Sequence, residues 1–304
     1  HRGLFLPLLA SRIAGGTFSS ATLPTAQAYI ADTTDRNERT QGMALVGAAF
    51  GLGLVFGPGI GAALSVFGLL APVYFSAGFA LLNALFVWLK LPEPERRAPR
   101  PVRPHLSSLA LRLWPLLVVA VVVTLASVAM EQTVAFYYQD RLELRPEETA
   151  RTVGIALVFY GLVAVFVQGF LIRRYSWTPA RLLRIGIPIA IAGFVGLIFA
   201  RQFVSLTLAL AIQGFGQGLA LPGVSAALSL GVGDDEQGAA AGLNSSAHAL
   251  GRMLGPVVGT WLYELRPEYP YAFSAGLLVI ATLALISRRV RNVTLLEPTH
   301  DPPA

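Results

Sequence analysis

Apolar positions in this chain gather into long continuous runs separated by short polar turns. Nine runs approach or exceed the ~20 residues with which a helix crosses a bilayer. They cover approximately 3–31, 42–66, 71–91, 113–138, 152–172, 182–200, 203–230, 238–263 and 270–287. Strands of a membrane barrel would instead alternate over ~10 residues. The pattern predicts an all-α polytopic membrane protein with nine spans.

The polar turns carry an orientation signal. With successive turns placed on alternate sides, fifteen Lys and Arg residues fall on one side and six on the other, while Arg12 and Arg252 lie inside spans. The richer side includes Arg36, Arg39, Arg96, Arg97, Arg100, Arg103, Arg173, Arg174, Arg181 and Arg288. Positive loops stay in the cytoplasm, so that side and the 292–304 tail are assigned there. Segment 92–111 holds Pro92, Pro94, Pro99, Pro101 and Pro104. Proline at that density blocks helix and extends the chain. It divides 1–91, with three spans, from 112–291, with six.

Two regions repeat. Gly53-x-x-x-Gly57-Pro58-x-x-Gly61 follows an acidic turn ending in Gln41-Gly42, and Gly251-x-x-x-Gly255-Pro256-x-x-Gly259 follows Asp235-Glu236-Gln237-Gly238. Each glycine trio recurs every four residues on one helix face, where the missing side chains permit close helix approach. Each proline removes a backbone donor and bends its helix. The stripes read equally as helix packing or as a gating seam. Duplicated halves are a mark of secondary transporters.

Composition narrows the class. Hydrophobic residues make up 54% and charged residues 13%, and mean hydropathy is +0.61. This excludes disorder and leaves too little polar surface for a soluble enzyme. There are no cysteines and four histidines, and no metal-ligand spacing occurs. No cofactor or metal is expected. The net charge of +6 is a topology signal and not a nucleic-acid footprint.

Charges inside spans cost roughly 2.5–3.5 kcal/mol at a helix centre and persist with a partner or a purpose. Glu131 is the one acidic residue deep within a span, and Thr124, Ser127 and Glu131 share a helix face. A desolvated carboxyl there is suited to carry a proton, or to bond a neighbouring helix. Asn244, His248 and Arg252 form a second stripe at four-residue spacing, facing away from lipid. Arg12 either anchors a carboxylate or extends to the interface. Gln213 and Gln217, one turn apart, line a substrate path or hydrogen-bond between helices. The acidic run Asp234-Asp235-Glu236 is placed to cap the eighth span.

These motifs resemble the major facilitator superfamily, and within it the drug–proton antiporters akin to tetracycline-efflux proteins. The Gly-Pro run at 53–61 is similar to the antiporter motif of the fifth family helix, with Ala62 where a glycine is usual. Arg12-Ile13-Ala14-Gly15-Gly16 resembles the fourth-helix arginine motif, and residues 169–181 a degenerate basic loop motif. The resemblance implies two six-helix bundles, with the first span here matching the fourth family helix. Nine of twelve helices would then be present, and the chain reads as a fragment lacking the first three. It implies a monomeric carrier in the bacterial inner membrane, exchanging protons for amphipathic or drug-like molecules. An uptake symporter and a non-transporting truncated protein are the rival readings.

The basic asymmetry makes a direct prediction. Arg100→Cys supplies a single thiol in a cysteine-free chain. An impermeant thiol reagent applied to intact cells leaves it unlabelled, and labelling appears only after permeabilisation. Labelling from outside contradicts the topology.

Overall fold

The computed structural model describes residues 2–34, scattered positions between 42 and 68, and residues 70–92, 106–175, 177–233 and 236–286. The 35–41 turn, Pro58, the 93–105 stretch, Asp234, Asp235 and the 292–304 tail lie outside these, as does most of the second span. The described elements are helices: α1 (Arg2–Ser19), α2 (Thr22–Thr33), α3 (Ala71–Lys90), α4 (Leu106–Leu142), α5 (Pro146–Phe166), α6 (Pro179–Phe199), α7 (Phe203–Leu230), α8 (Gln237–Leu265) and α9 (Tyr269–Ile286).

Five segments are long and apolar enough to cross a membrane: Ala71–Lys90, Leu106–Leu142, Arg151–Leu171, Pro179–Phe199 and Phe203–Leu230. The nine-span expectation is therefore met only in part among the described residues. Helix α8 is 29 residues long, but Asn244, Ser245, Ser246, His248 and Arg252 interrupt its apolarity. Helix α9 qualifies only as a shorter apolar helix over Tyr269–Leu283. The first span, expected as one helix, is broken into α1 and α2. Thr17 Oγ1 donates to the Ile13 carbonyl at 2.8 Å and Ser20 Oγ to the Thr17 carbonyl at 2.7 Å. Such local bonds compete with the helical ladder and bend it.

Two further boundaries differ from expectation. Helix α4 begins at Leu106, inside the expected linker, because the last linker proline is Pro104 and nothing beyond it obstructs a helix. Helix α5 runs into a π-turn, Val167–Leu171, and a last α-turn, Ile172–Arg174. The chain becomes extended at Tyr175. Thr178 then caps α6, its hydroxyl accepting from the Arg181 amide.

Helices α4 to α9 form one bundle, with its core along α4, α6, α7 and α9. Its tightest seam joins α6 to α7. A Cβ placed on Gly216 would overlap the Ala190 amide and lie 2.5 Å from the Gly186 carbonyl oxygen. One placed on Gly193 would overlap the backbone of Gln213. Only glycine permits that approach. Helix α2 packs on α8, whereas α3 buries none of its side chains.

One end of the bundle is tied by Arg141 of α4, whose side chain is 7% exposed. It donates to Glu268 at 2.7 Å, to the Ile198 carbonyl at 3.2 Å and to the Tyr137 hydroxyl at 2.8 Å. Tyr137 donates onward to the Leu197 carbonyl, and its ring lies tilted against that of Tyr271, 4.4 Å between centroids. Helices α4, α6 and α9 are thereby fixed together. At the other end of α4, Arg112 pairs with Glu236. Glu236 precedes α8 without capping it by a side-chain bond, so the capping role expected of the acidic run is not seen at its described member.

The seam geometry predicts opposite outcomes for two glycines. Gly216→Leu forces α6 from α7 and lowers stability by about 2–3 kcal/mol or more, read as a lower thermal midpoint in detergent. Gly154→Ala, with nothing within 4 Å of its new Cβ, leaves the midpoint unchanged or raises it.

Candidate functional site

The polar stripes of α4 and α8 meet. Gly251, Gly255 and Gly259 lie against α4. A Cβ on Gly251 would sit 2.8 Å from Thr124 Cβ, one on Gly255 2.8 Å from Val128 Cβ, and one on Gly259 2.8 Å from the Ala129 carbonyl oxygen. This close approach lets Thr124 Oγ1 and His248 Nδ1 hydrogen-bond at 2.6 Å. One turn along α4, Ser127 donates to Glu131 Oε1 at 3.2 Å. Arg252, one turn beyond His248, acts electrostatically on both Glu131 and His248.

Thr124, Ser127, Asn244 and His248 are buried, Glu131 is half-buried, and Arg252 is exposed. The α8 stripe thus runs from an enclosed end to an open one, and Arg252 stands on the rim. Asn244 Nδ2 donates to Ser225 of α7 at 3.0 Å. Its Oδ1 and the hydroxyl of Ser245 are buried without a partner. Helix α5 adds Tyr160, 5% exposed, whose ring edge lies against Gly214 of α7. The result is a polar cluster within an apolar bundle: a carboxyl, a guanidinium, an imidazole, a carboxamide and four hydroxyls. It can hold and exchange a proton, and its two opposite charges can each receive a charged group.

Other expected site residues lie elsewhere. Gln213 is fully buried in the α6–α7 seam beside Gly193, and neither end of its amide has a partner. Gly193 meets the Gln213 backbone and Cβ. Gln217 is buried one turn further along α7. Arg12 is exposed on α1, apart from the cluster. The two glycine stripes, alike in sequence, differ in setting: added Cβ atoms on Gly53, Gly57 and Gly61 would meet nothing within 4 Å among the described residues. Pro256 lies within α8, which continues through it to Leu265. Tyr160 was not anticipated. Its only signal is one hydroxyl in the apolar run 153–167.

The Major Facilitator Superfamily profile matches twice, over residues 3–210 and 187–303. The chain belongs to the Major Facilitator Superfamily. Together with the apolar helices, this makes it an integral membrane transporter. Its relatives include "Multidrug resistance protein 1" of Bacillus subtilis, 27% identical over 92% of this chain and 72% of that protein. "Quinolone resistance protein NorA" of Staphylococcus aureus is 20% identical over 96% of this chain and 76% of that one. Among solved structures, the human organic anion transporter MFSD10 (TETRAN) superposes with a TM-score of 0.79 at 25% identity, covering 92% of this chain and 71% of that one. FucP in the outward conformation shares the fold, with a TM-score of 0.62 at 16% identity.

The Thr124–His248 bond predicts measurable coupling between the two helices. In a double-mutant cycle with Thr124→Val and His248→Phe, the two changes are non-additive in unfolding free energy by about 1 kcal/mol. Additive effects would mean the pair does not interact.

Proposed function

We propose that this chain is a secondary active transporter that exports amphipathic or drug-like small molecules in exchange for protons by alternating access. The observation that carries this reading is the Glu131 carboxyl, bonded to Ser127 within a closely packed apolar bundle, with Arg252 of the facing helix α8 on the rim. The names of the bacterial relatives, multidrug and quinolone resistance proteins, support the substrate class. Residues 1–91 act as the remainder of one bundle, 92–111 as a cytoplasmic connection and 112–291 as the six-helix bundle. The carrier works as a monomer in the bacterial inner membrane, with its C-terminal tail in the cytoplasm.

In this reading Glu131 binds proton and cationic substrate in competition. Protonation neutralises the carboxyl and releases a cation; deprotonation restores the cation's partner. Arg252 is the resident cation that balances Glu131 while neither is bound. Thr124 orients His248, and Asn244 anchors the same face of α8 to α7. Gln213 and Gln217 stiffen the bundle around the site. The Gly251–Gly255–Gly259 seam keeps α4 and α8 moving as one body, and Arg12 and the Gly53–Gly57–Pro58–Gly61 stripe serve the opposing bundle.

Glu131→Gln keeps the shape and fixes the neutral state. Proton-driven export of a lipophilic cation from proteoliposomes or cells drops to background, with protein level unchanged. Normal pH-dependent export by that variant removes Glu131 from coupling. A second reading follows from the exposed Arg252 and the relative named as an organic anion transporter: the substrate is an organic anion held by the guanidinium. Arg252→Gln then abolishes anion transport, and cation transport is absent from the start.

A further inference from the structure

We infer that the connection leading into α6 is a binding site for the phosphate group of an anionic phospholipid, with Arg174 and Arg181 as its cations and the rings of Tyr175 and Trp177 as their supports.

The sequence leaves this connection without charge balance of its own. Arg173, Arg174, Arg181 and Arg184 fall within twelve residues, and no aspartate or glutamate occurs from Thr149 to Gly233. Elsewhere Arg112, Arg141 and Arg145 each pair with a glutamate. Arg174, Arg181 and Arg184 are exposed and pair with no carboxylate among the described residues. Clustered basic residues at a membrane surface attract anionic headgroups.

The rings fix where two of these charges stand. The Arg174 guanidinium carbon lies 5.7 Å from the centroid of the Tyr175 ring, and that of Arg181 lies 5.2 Å from the centroid of the Trp177 ring. The two rings stack at 6.1 Å with an interplanar angle of 27°. Trp177 packs on the apolar cluster of Val167, Ile172, Leu182 and Leu219, and its amide donates to the Tyr175 carbonyl at 2.8 Å. A guanidinium over a ring uses its flat face and keeps its edge N–H donors for a phosphate, which it can meet with two parallel bonds. The ring already restricts the side chain, so less freedom is lost on binding.

Depth selects a lipid over a soluble anion. The span Arg151–Leu171 ends three residues before Arg174, and the span Pro179–Phe199 begins two residues before Arg181. Tyrosine and tryptophan at span ends sit at the level of the headgroups, so both guanidiniums stand beside lipid phosphates. Toward the membrane interior, Phe166 and Phe170 stack at 5.4 Å and are 51% and 56% exposed. They follow one another and Arg174 at four-residue steps. Their rings offer an apolar surface to an acyl chain, which a free phosphate would leave unused.

The test is native mass spectrometry of the full 304-residue chain, titrated in detergent with phosphatidylglycerol and, separately, with phosphatidylcholine. The expected result is a phosphatidylglycerol adduct that phosphatidylcholine does not form at the same concentration. Arg174→Gln and Arg181→Gln each weaken it about fivefold, the effect of one basic residue at a membrane surface, with the lipid-free thermal midpoint unchanged. Arg201→Gln removes the same charge from an exposed position past the other end of α6 and leaves the adduct as it was. Equal adducts with both lipids, or equal losses in Arg201→Gln and Arg181→Gln, overturn the proposal. Inorganic phosphate added at the lipid's concentration leaves the adduct in place; displacement of the lipid by phosphate would overturn the lipid assignment.

Discussion

The site depends on the contact between α4 and α8 along Gly251, Gly255 and Gly259. In a bilayer no hydrophobic force drives helices together, so association rests on van der Waals packing and interhelical hydrogen bonds. The three glycines bring α8 onto α4 until added Cβ atoms would touch Thr124, Val128 and Ala129. At that separation the short side chains of threonine and histidine can bridge the helices directly. The same approach brings the Arg252 charge to bear on Glu131. A wider seam would leave the buried Thr124 hydroxyl and His248 imidazole without each other, each at a cost of about 1–3 kcal/mol.

The rest of the bundle holds that seam in register. The α6–α7 seam repeats the device, with glycine backbone against backbone, and supplies a rigid wall behind Tyr160. Arg141 ties α4 to α6 and α9 at one end, and Arg112 with Glu236 links α4 to the start of α8 at the other. Between two fixed ends, the polar groups at 124–131 and 244–252 have little freedom to rearrange. In the proposed reading, proton or substrate binding is directed into motion of whole helices, which is what an alternating-access carrier requires. Its superfamily relatives share that architecture.

The periodic part of the site was legible in the sequence. Thr124, Ser127 and Glu131, and Asn244, His248 and Arg252, fall on single faces because helical spacing alone decides it. That the stripes face one another was not legible, since mutual rotation of two helices is set by packing across the whole bundle. The repeated Gly-Pro run shows the limit. The copy at 251–259 makes the tightest contact of α8, and the copy at 53–61 meets open space among the described residues; a motif offers close approach, and only a neighbour uses it. Tyr160 was passed over because a tyrosine in an apolar run is usually core, and its contact with the bare α7 backbone at Gly214 is set by packing. The π-turn left no mark in composition.

The most direct test of the seam as the origin of the site is the nitrogen NMR signal of His248 in the ¹⁵N-histidine-labelled chain in lipid. The four histidines make assignment by single replacement practical. Gly255→Leu leaves Thr124 and His248 intact and only widens the seam. The account predicts that the His248 Nδ1 signal moves to that of a non-bonded imidazole in this variant, while the other histidines stay in place. An unchanged His248 signal in Gly255→Leu would show that the polar contact forms without the close helix approach, and would contradict it.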